Sequence, residues 1–203
     1  SRFGSIQNTA VKVGTSDLAD PNATLYFQFD TTTDQQLSFK IGTSFISLEQ
    51  ARYNLSREIG DAPLDEIATR TRKAWNDLLK RIRITTETPE QAITFYTMLY
   101  RSPLFPRTLH EPTSEGGLHH YSPYDGRVHP GEMFADNGFW DTFRAVYPLL
   151  NLVYPEIGAA TIRGWINAYR EGGWFPKWAS PGYRDCMIGT HVDALIADAV
   201  AND

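Results

Sequence analysis

The spacing of apolar positions changes once along the chain, near residue 47. Before that point apolar and polar residues alternate or run in short apolar stretches, the pattern of strands. Val11-Lys12-Val13 alternates, and Leu25-Tyr26-Phe27-Gln28-Phe29 is nearly continuous. Gly14, Pro21-Asn22 and Thr31-Thr32-Thr33-Asp34 supply turn residues between them. Leu37-Ser38-Phe39-Lys40-Ile41 alternates again, and Thr43-Ser44-Phe45-Ile46 prolongs it. About three or four strands are too few for a free-standing two-faced sandwich. Residues 1–46 are therefore expected to be the last strands of a larger β-domain, or an edge sheet on the helical part of the chain.

From Ser47 the apolar residues recur every three or four positions. Ser47-Leu48-Glu49-Gln50 is a capping box, predicting a helix to about Ile59 with Gly60 as its stop. Asp61 and Pro63 open a second helix over 64–83, whose stripe is Ile67, Ala74, Leu78 and Ile82. Thr88-Pro89-Glu90-Gln91 starts a third, carrying Ile93, Phe95, Tyr96, Leu99 and Tyr100 and ending before Pro103. Residues 103–136 lose the helical period and are rich in Pro, Gly, His and Tyr. A segment of that length is functional or carries short strands. Helices resume over 138–153 and 157–171, the latter closed by Gly172-Gly173, and again from Thr190. That makes about six helices, mostly in consecutive pairs. The last is still apolar at Leu195, Ile196, Ala199 and Val200 where the sequence stops, so it is expected to be cut short.

Composition narrows the chemistry. The 203 residues are 41% hydrophobic and 21% charged, which is ordinary for a globular chain. A net charge of −5 argues against a nucleic-acid partner, which needs a basic face. There is no apolar run long enough for a membrane span. The single cysteine, Cys186, excludes an internal disulfide. Asn22-Ala23-Thr24 and Asn54-Leu55-Ser56 match the glycosylation acceptor pattern. Ser1-Arg2-Phe3-Gly4-Ser5 is neither a signal peptide nor a start at Met, so a processed chain or a piece of one is expected.

Aromatic residues make up 13% of the chain, and the stretch 136–201 concentrates them beside charge. It reads Asp136-Asn137-Gly138-Phe139-Trp140-Asp141-Thr142-Phe143-Arg144, later Gly173-Trp174-Phe175-Pro176-Lys177-Trp178, and then Ser180-Pro181-Gly182-Tyr183-Arg184-Asp185-Cys186 running to Gly189-Thr190-His191-Val192-Asp193. Indole rings stack on the apolar faces of a sugar, and charged groups bind its hydroxyls. Asp141 has two readings. It is a first-turn carboxylate favoured by the helix dipole and paired with Arg144, or a pocket acid beside a stacking Trp140. Asp193 likewise either closes a Thr190-x-x-Asp193 capping box or borders the same pocket. Asp198 is placed to meet an arginine from elsewhere. Trp165 reads as core, whereas Trp174 and Trp178 flank Pro176 in a loop. His110, His119, His120 and His129 read as exposed loop residues, since no zinc-type spacing joins them. No nucleophile elbow, P-loop or dinucleotide fingerprint occurs, and Cys186 has no base marked out beside it.

Three stretches together resemble glycoside hydrolase family 92, a family of exo-acting α-mannosidases. They are Gly138-Phe139-Trp140-Asp141-Thr142-Phe143-Arg144 with Tyr147-Pro148-Leu149-Leu150, then Ser180-Pro181-Gly182-Tyr183-Arg184 with Gly189-Thr190-His191-Val192-Asp193 and Ile196-Ala197-Asp198-Ala199, and Ile41-Gly42-Thr43-Ser44-Phe45-Ile46-Ser47 with Ala51-Arg52. The resemblance extends over about residues 25–200. It implies a mostly α fold: a few strands from the end of a β-sandwich, then the first half of an (α/α)6 toroid over 47–203. It also implies calcium-dependent, inverting hydrolysis of terminal α-mannosides, by a carboxylic acid and a carboxylate base roughly 6.5–9.5 Å apart. Calcium would hold sugar hydroxyls, as suits a hard cation with oxygen ligands.

By motif matching, Trp140 and Asp141 fall where the family contacts its terminal mannose, and Arg184, Cys186, His191 and Asp193 fall in a loop that borders the same pocket; Trp178, in the loop beside Pro176, is expected as a further sugar-binding residue. The family's Glu-Gly-Asn and Asn-Asp-Asp-Gly motifs, which carry its acid and base, do not occur here, and most calcium ligands are expected with them. The expectation is therefore a segment of a secreted or periplasmic α-mannosidase that supplies mannose contacts without the catalytic pair, its partners being an α-mannoside glycan and the other half of the toroid. The alternative is a non-catalytic sugar-binding or assembly protein.

Overall fold

The computed structural model describes residues 2–201 except 8, 17, 19–21, 23 and 34, so the expected turn residues Pro21 and Asp34 lie outside the described residues. The chain divides into two units, Ser1–Lys40 and Ile41–Asp203.

The first unit is a three-stranded antiparallel sheet. Strand β1 (Arg2–Gln7) lies at its centre, with β2 (Ala10–Val13) and β3 (Thr24–Gln28) on either side. Gly4 pairs with both Val13 and Tyr26. A Cβ at Gly4 would stand 2.2 Å from the Lys12 carbonyl oxygen, so the glycine lets the ribbon close. The central strand carries no clear sequence signal, because Gly4 and Ser5 interrupt its apolar pattern.

The strands expected at 37–41 and 43–46 are absent, and 35–46 carries no ladder. Its backbone bonds to side chains instead. The Phe45 N–H donates to Glu111 Oε1 at 2.8 Å, and the Thr43 carbonyl accepts from Asn54 Nδ2 at 3.0 Å. Asn54 Nδ2 also donates to Glu111 Oε2 at 2.7 Å, while Asn54 Oδ1 accepts from Gln50 Nε2 at 2.8 Å. With alternation alone and no partner strand, the extended segment takes whichever donors and acceptors lie beside it. The same network bears on the Asn54 tripeptide. Asn54 is 9% exposed, and the nitrogen that would carry a glycan is committed to Glu111 and Thr43.

In the second unit, α1 (Leu48–Glu58) starts as expected, with Ser47 Oγ accepting from the Gln50 N–H at 3.0 Å. Helix α2 (Leu64–Leu79) stops short of Arg83, its last turn tightening through Arg81 N–H to Leu78 O and Ile82 N–H to Leu79 O. Helix α3 (Pro89–Arg101) has the full Thr88/Gln91 capping box. Leu78, Leu79 and Ile82 pack with Phe95 and Tyr96 around Leu99, Leu150 and Tyr154.

The 103–136 segment carries short strands: β4 (Arg107–Thr108), β5 (His110–Pro112), β6 (Leu118–Tyr121), β7 (Val128–Pro130) and β8 (Phe134–Ala135). Strands β5, β6 and β7 form one antiparallel sheet, and β4 pairs with β8. The histidines here are not exposed loop residues. His110, His120 and His129 sit across from one another in neighbouring strands, and His120 is fully buried. Burial pushes the His110 pKa down, opposed by its bond to the Met133 carbonyl.

After β9 (Asn137–Gly138) the helix expected over 138–153 is two, α4 (Phe139–Thr142) and α5 (Val146–Val153). Ala145, at φ −140° and ψ −47°, breaks the run. Helix α6 (Pro155–Gly172) ends at Gly173, whose φ of +83° and N–H bond to Tyr169 O form the expected glycine stop. Strand β10 (Trp178–Ala179) and α7 (Val192–Ala201) complete the unit, α7 beginning after Thr190 rather than at it. Trp165 is fully buried among Phe139, Tyr147, Phe134 and Leu195, and its indole N–H donates to the Tyr147 hydroxyl at 2.8 Å.

Candidate functional site

Two short strands place the site. Asp136, between β8 and β9, has φ +60°, a left-handed conformation uncommon outside glycine. Its carboxylate holds the turn by accepting from Ser180 Oγ at 2.9 Å and pairing with Arg107 at 2.5 Å. The chain thereby leaves β4 and turns into a pairing with β10, in which Gly138 lies opposite Trp178 and Asn137 opposite Ala179. Side chains alternate across a strand, so Asn137 and Ala179 go into the core while Trp178 lies across Gly138.

The fit at Gly138 is close. A Cβ there would stand 2.0 Å from Trp178 Cζ3 and 2.6 Å from Asp141 Oδ2. The indole and the carboxylate are thus neighbours over one glycine. Phe139, the first residue of α4, is fully buried, and the turn of the helix carries the next two, Trp140 and Asp141, outward. Trp140 is 46% exposed. The Thr142 hydroxyl fastens α4 by donating to the Gly138 carbonyl at 3.0 Å. Gly138→Ala is expected to displace the Trp178 indole, lowering stability by about 1–3 kcal/mol as overpacking does. A changed near-UV circular dichroism spectrum together with a lower Tm would show it, and an unchanged spectrum would refute it.

The expected Asp141–Arg144 ion pair does not form among the described residues. Asp141 has no hydrogen-bond or ion-pair partner among them. Arg144 instead donates from Nη1 to the Trp140 carbonyl, its guanidinium 4.6 Å from the Trp140 ring and 4.5 Å from that of Phe143. Phe143 is in turn stacked on His191, centroids 4.6 Å apart and planes 2° apart.

The loop after α6 folds back on itself. The Tyr183 hydroxyl donates to the Trp174 carbonyl at 2.7 Å and accepts from the Trp174 N–H at 3.1 Å. Burial pushes the Tyr183 phenol pKa up, the bond to Trp174 opposing it. The Arg184 N–H donates to the Trp178 carbonyl at 2.9 Å, joining the two backbones. Its guanidinium has no partner among the described residues. Asp185 does, pairing with Lys177 at 3.7 Å.

Of the seven anticipated residues, Trp178 and Asp141 lie close together over Gly138, the Arg184 backbone bonds to that of Trp178, and Trp140 is joined to His191 only through Arg144 and Phe143. Cys186 is exposed, and Asp193 Oδ1 accepts from the Ala194 N–H at 3.0 Å, with no contact joining either to these residues. Asp198, expected to face an arginine, accepts from Asn151 Nδ2 at 2.8 Å. Gly138, Phe143 and Arg144 join the site without having been expected there. Local spacing alone does not place the guanidinium over the ring, because the helix stops at Thr142 and the chain turns before Val146. Among the described residues no three His, Cys, Asp or Glu side chains converge as a metal site.

The sequence model of the glycosyl hydrolase family 92 catalytic domain matches residues 50–203. The chain belongs to that family. An inverting mannosidase of family 92 from Bacteroides thetaiotaomicron VPI-5482 is similar in structure, at 42% identity and a TM-score of 0.88, over 98% of this chain and 27% of that one. A family 92 α-mannosidase from Bacteroides thetaiotaomicron in complex with mannoimidazole shares the fold at 23% identity and a TM-score of 0.76, again over 98% of this chain and 27% of the other. The family 92 glycosyl hydrolase ccman5 aligns at 27% identity and a TM-score of 0.62, over 78% of this chain and 22% of its own. No curated protein matches the chain. The chain thus spans about a quarter of the length of the family 92 structures it matches. The fold is mostly α, part of the family's helical toroid preceded by a few strands.

Proposed function

We propose that this chain carries the sugar-recognition part of an inverting exo-α-mannosidase that releases terminal mannose from glycans. The observation that carries the reading is the pairing of Trp178 and Asp141 over Gly138, an indole face beside an unpartnered carboxylate. Such a pair meets both sides of a hexose, the face of C–H bonds and the rim of hydroxyls. Trp140 and Arg184 would extend it with a second indole and a guanidinium without a partner among the described residues, and His191 would support it from behind Phe143.

Membership of family 92 and the likeness to an inverting mannosidase support the assignment. No helix among the described residues is long and apolar enough to cross a membrane. We place the general acid, the general base and most calcium ligands outside these 203 residues, because the family motifs that carry them do not occur in the sequence. Calcium in the full-length protein would fix sugar hydroxyls. Here the chain's own part is to bind and orient the ring. The exposed apolar residues Leu152 and Val200, with the groove of about 300 Å³ between Asn151, Ile162 and Ile196, would pack against the other half of the toroid. The β-unit would belong to the sandwich domain, with 47–203 in the toroid. A secreted or periplasmic location suits an enzyme acting on glycans.

The test is hydrolysis of 4-nitrophenyl α-mannoside and of mannobioses by the full-length protein, with the product anomer read by proton NMR. Release of β-mannose, lost on treatment with a calcium chelator and restored by calcium, is the expected result. Absence of hydrolysis with retained binding of methyl α-mannoside would favour the non-catalytic sugar-binding alternative.

A further inference from the structure

Helix α4 is four residues long, and its C-terminal carbonyls have no further turn to bond to. In a continuous helix the Trp140 carbonyl would accept from the Arg144 N–H. Here the helix breaks between Thr142 and Val146, and the Arg144 guanidinium supplies the donor to that carbonyl instead. The same group lies 4.6 Å from the Trp140 ring and 4.5 Å from the Phe143 ring. Phe143 is stacked on His191, the residue that leads into α7. Four planar groups are thus joined in one run from Trp140 to the start of α7. No carboxylate among the described residues lies within ion-pair distance of Arg144, so its charge is directed to ring faces and a carbonyl.

We propose that Arg144 is a positioning residue for the sugar site: it clamps the indole of Trp140 by bonding its carbonyl and covering its ring, and anchors that clamp to α7 through Phe143 and His191. The proposal rests on the sugar-recognition function only for what the indole does. A Trp that is 46% exposed on a one-turn helix has many rotamers open to it, and a stacking platform works only if its plane is held before the sugar arrives. Arginine suits this task and lysine does not. The planar guanidinium lies flat on a ring while its N–H groups remain free to donate, whereas an ammonium is a compact, strongly hydrated charge without a plane. The attraction of a cation to an indole face adds to the hold.

The experiment labels the full-length protein with 5-fluorotryptophan, assigns the Trp140 resonance through Trp140→Phe, and compares Arg144→Lys and Arg144→Met by fluorine NMR. Methyl α-mannoside affinity is measured by calorimetry on the same samples. The expected result is a shifted and broadened Trp140 resonance in both variants, with the other tryptophan resonances and the Tm little changed. Affinity should fall about tenfold in Arg144→Met, and by less than about twofold when the same change is made in a Trp140→Leu background. A Trp140 resonance that stays put in both variants overturns the clamp, as does an equal loss of affinity in the two backgrounds. A shifted resonance in a protein whose unmodified form does not bind methyl α-mannoside upholds the clamp and overturns the sugar reading instead.

Discussion

Asp141→Ala in the full-length protein is expected to lower kcat/KM for an α-mannoside by about 100-fold or more, near 3 kcal/mol if the carboxylate bonds two hydroxyls. The size follows from where the carboxylate stands. It has no hydrogen-bond partner among the described residues, and its Oδ2 stands beside the position a Cβ on Gly138 would take, next to the Trp178 indole. Because it is exposed in α4, its removal leaves no buried group orphaned, and Tm should barely move. The loss would fall on kcat as well as KM if the bonds strengthen as the ring distorts, and on KM alone if they hold ground state and transition state equally. Asp141→Asn keeps the shape and part of the hydrogen bonding and should fall between. Near-normal activity in Asp141→Ala would take this residue out of the pocket.

His120→Ala is expected to cost about 2–4 kcal/mol of folding stability, because it empties a buried site and strips the hydrogen-bond partner from a buried carboxyl group. His120 is 0% exposed and Glu171 8%. The imidazole Nδ1 stands 2.9 Å from the Gly131 carbonyl, and Nε2 stands 3.0 and 3.2 Å from the two Glu171 oxygens. Both ring nitrogens lie within hydrogen-bond distance of oxygens, so the ring is held at both ends. The pair ties the β5–β7 sheet to the last turn of α6, directly before Gly172 and the loop that carries Trp178 and Arg184. Removing the imidazole leaves the buried carboxyl group without this partner. The double variant His120→Ala, Glu171→Ala should be less destabilised than the sum of the singles. Urea unfolding measures both effects, and a loss under about 1 kcal/mol for His120→Ala would show that the pair is not holding the sheet to the helix.

Local signals along the chain did much of the work at the helix ends. Ser47 with Gln50 and Thr88 with Gln91 act as caps because a cap needs only residues three apart. Gly173 stops α6 for an equally local reason, its left-handed φ. Trp165 as core was legible from residue type and position, and it is fully buried. Non-local bonds decided the cases that came out otherwise. Residues 37–46 alternate like a strand, yet Glu111 and Asn54 take over the backbone groups at Thr43 and Phe45. The histidines of 110–129 sit in a polar stretch, yet the pairing of β5, β6 and β7 carries His120 inward to a glutamate far along the chain. The Asp141–Arg144 spacing allowed an ion pair, yet the break at Ala145 turned the guanidinium onto Trp140 and Phe143.

The sequence by itself determined the change from strands to helices, the caps, the central tryptophan of the core and the family to which the chain belongs. Each of these depends on residues within a few positions of one another or on motifs that survive as strings. Only the tertiary structure decided that Gly138 brings Trp178 against Asp141, that Asp136 is bent and held by Arg107 and Ser180, and that Arg144 backs Trp140. Those depend on which distant strands pair and where a helix breaks, and they are set by the packing of the whole unit rather than by any one stretch of it.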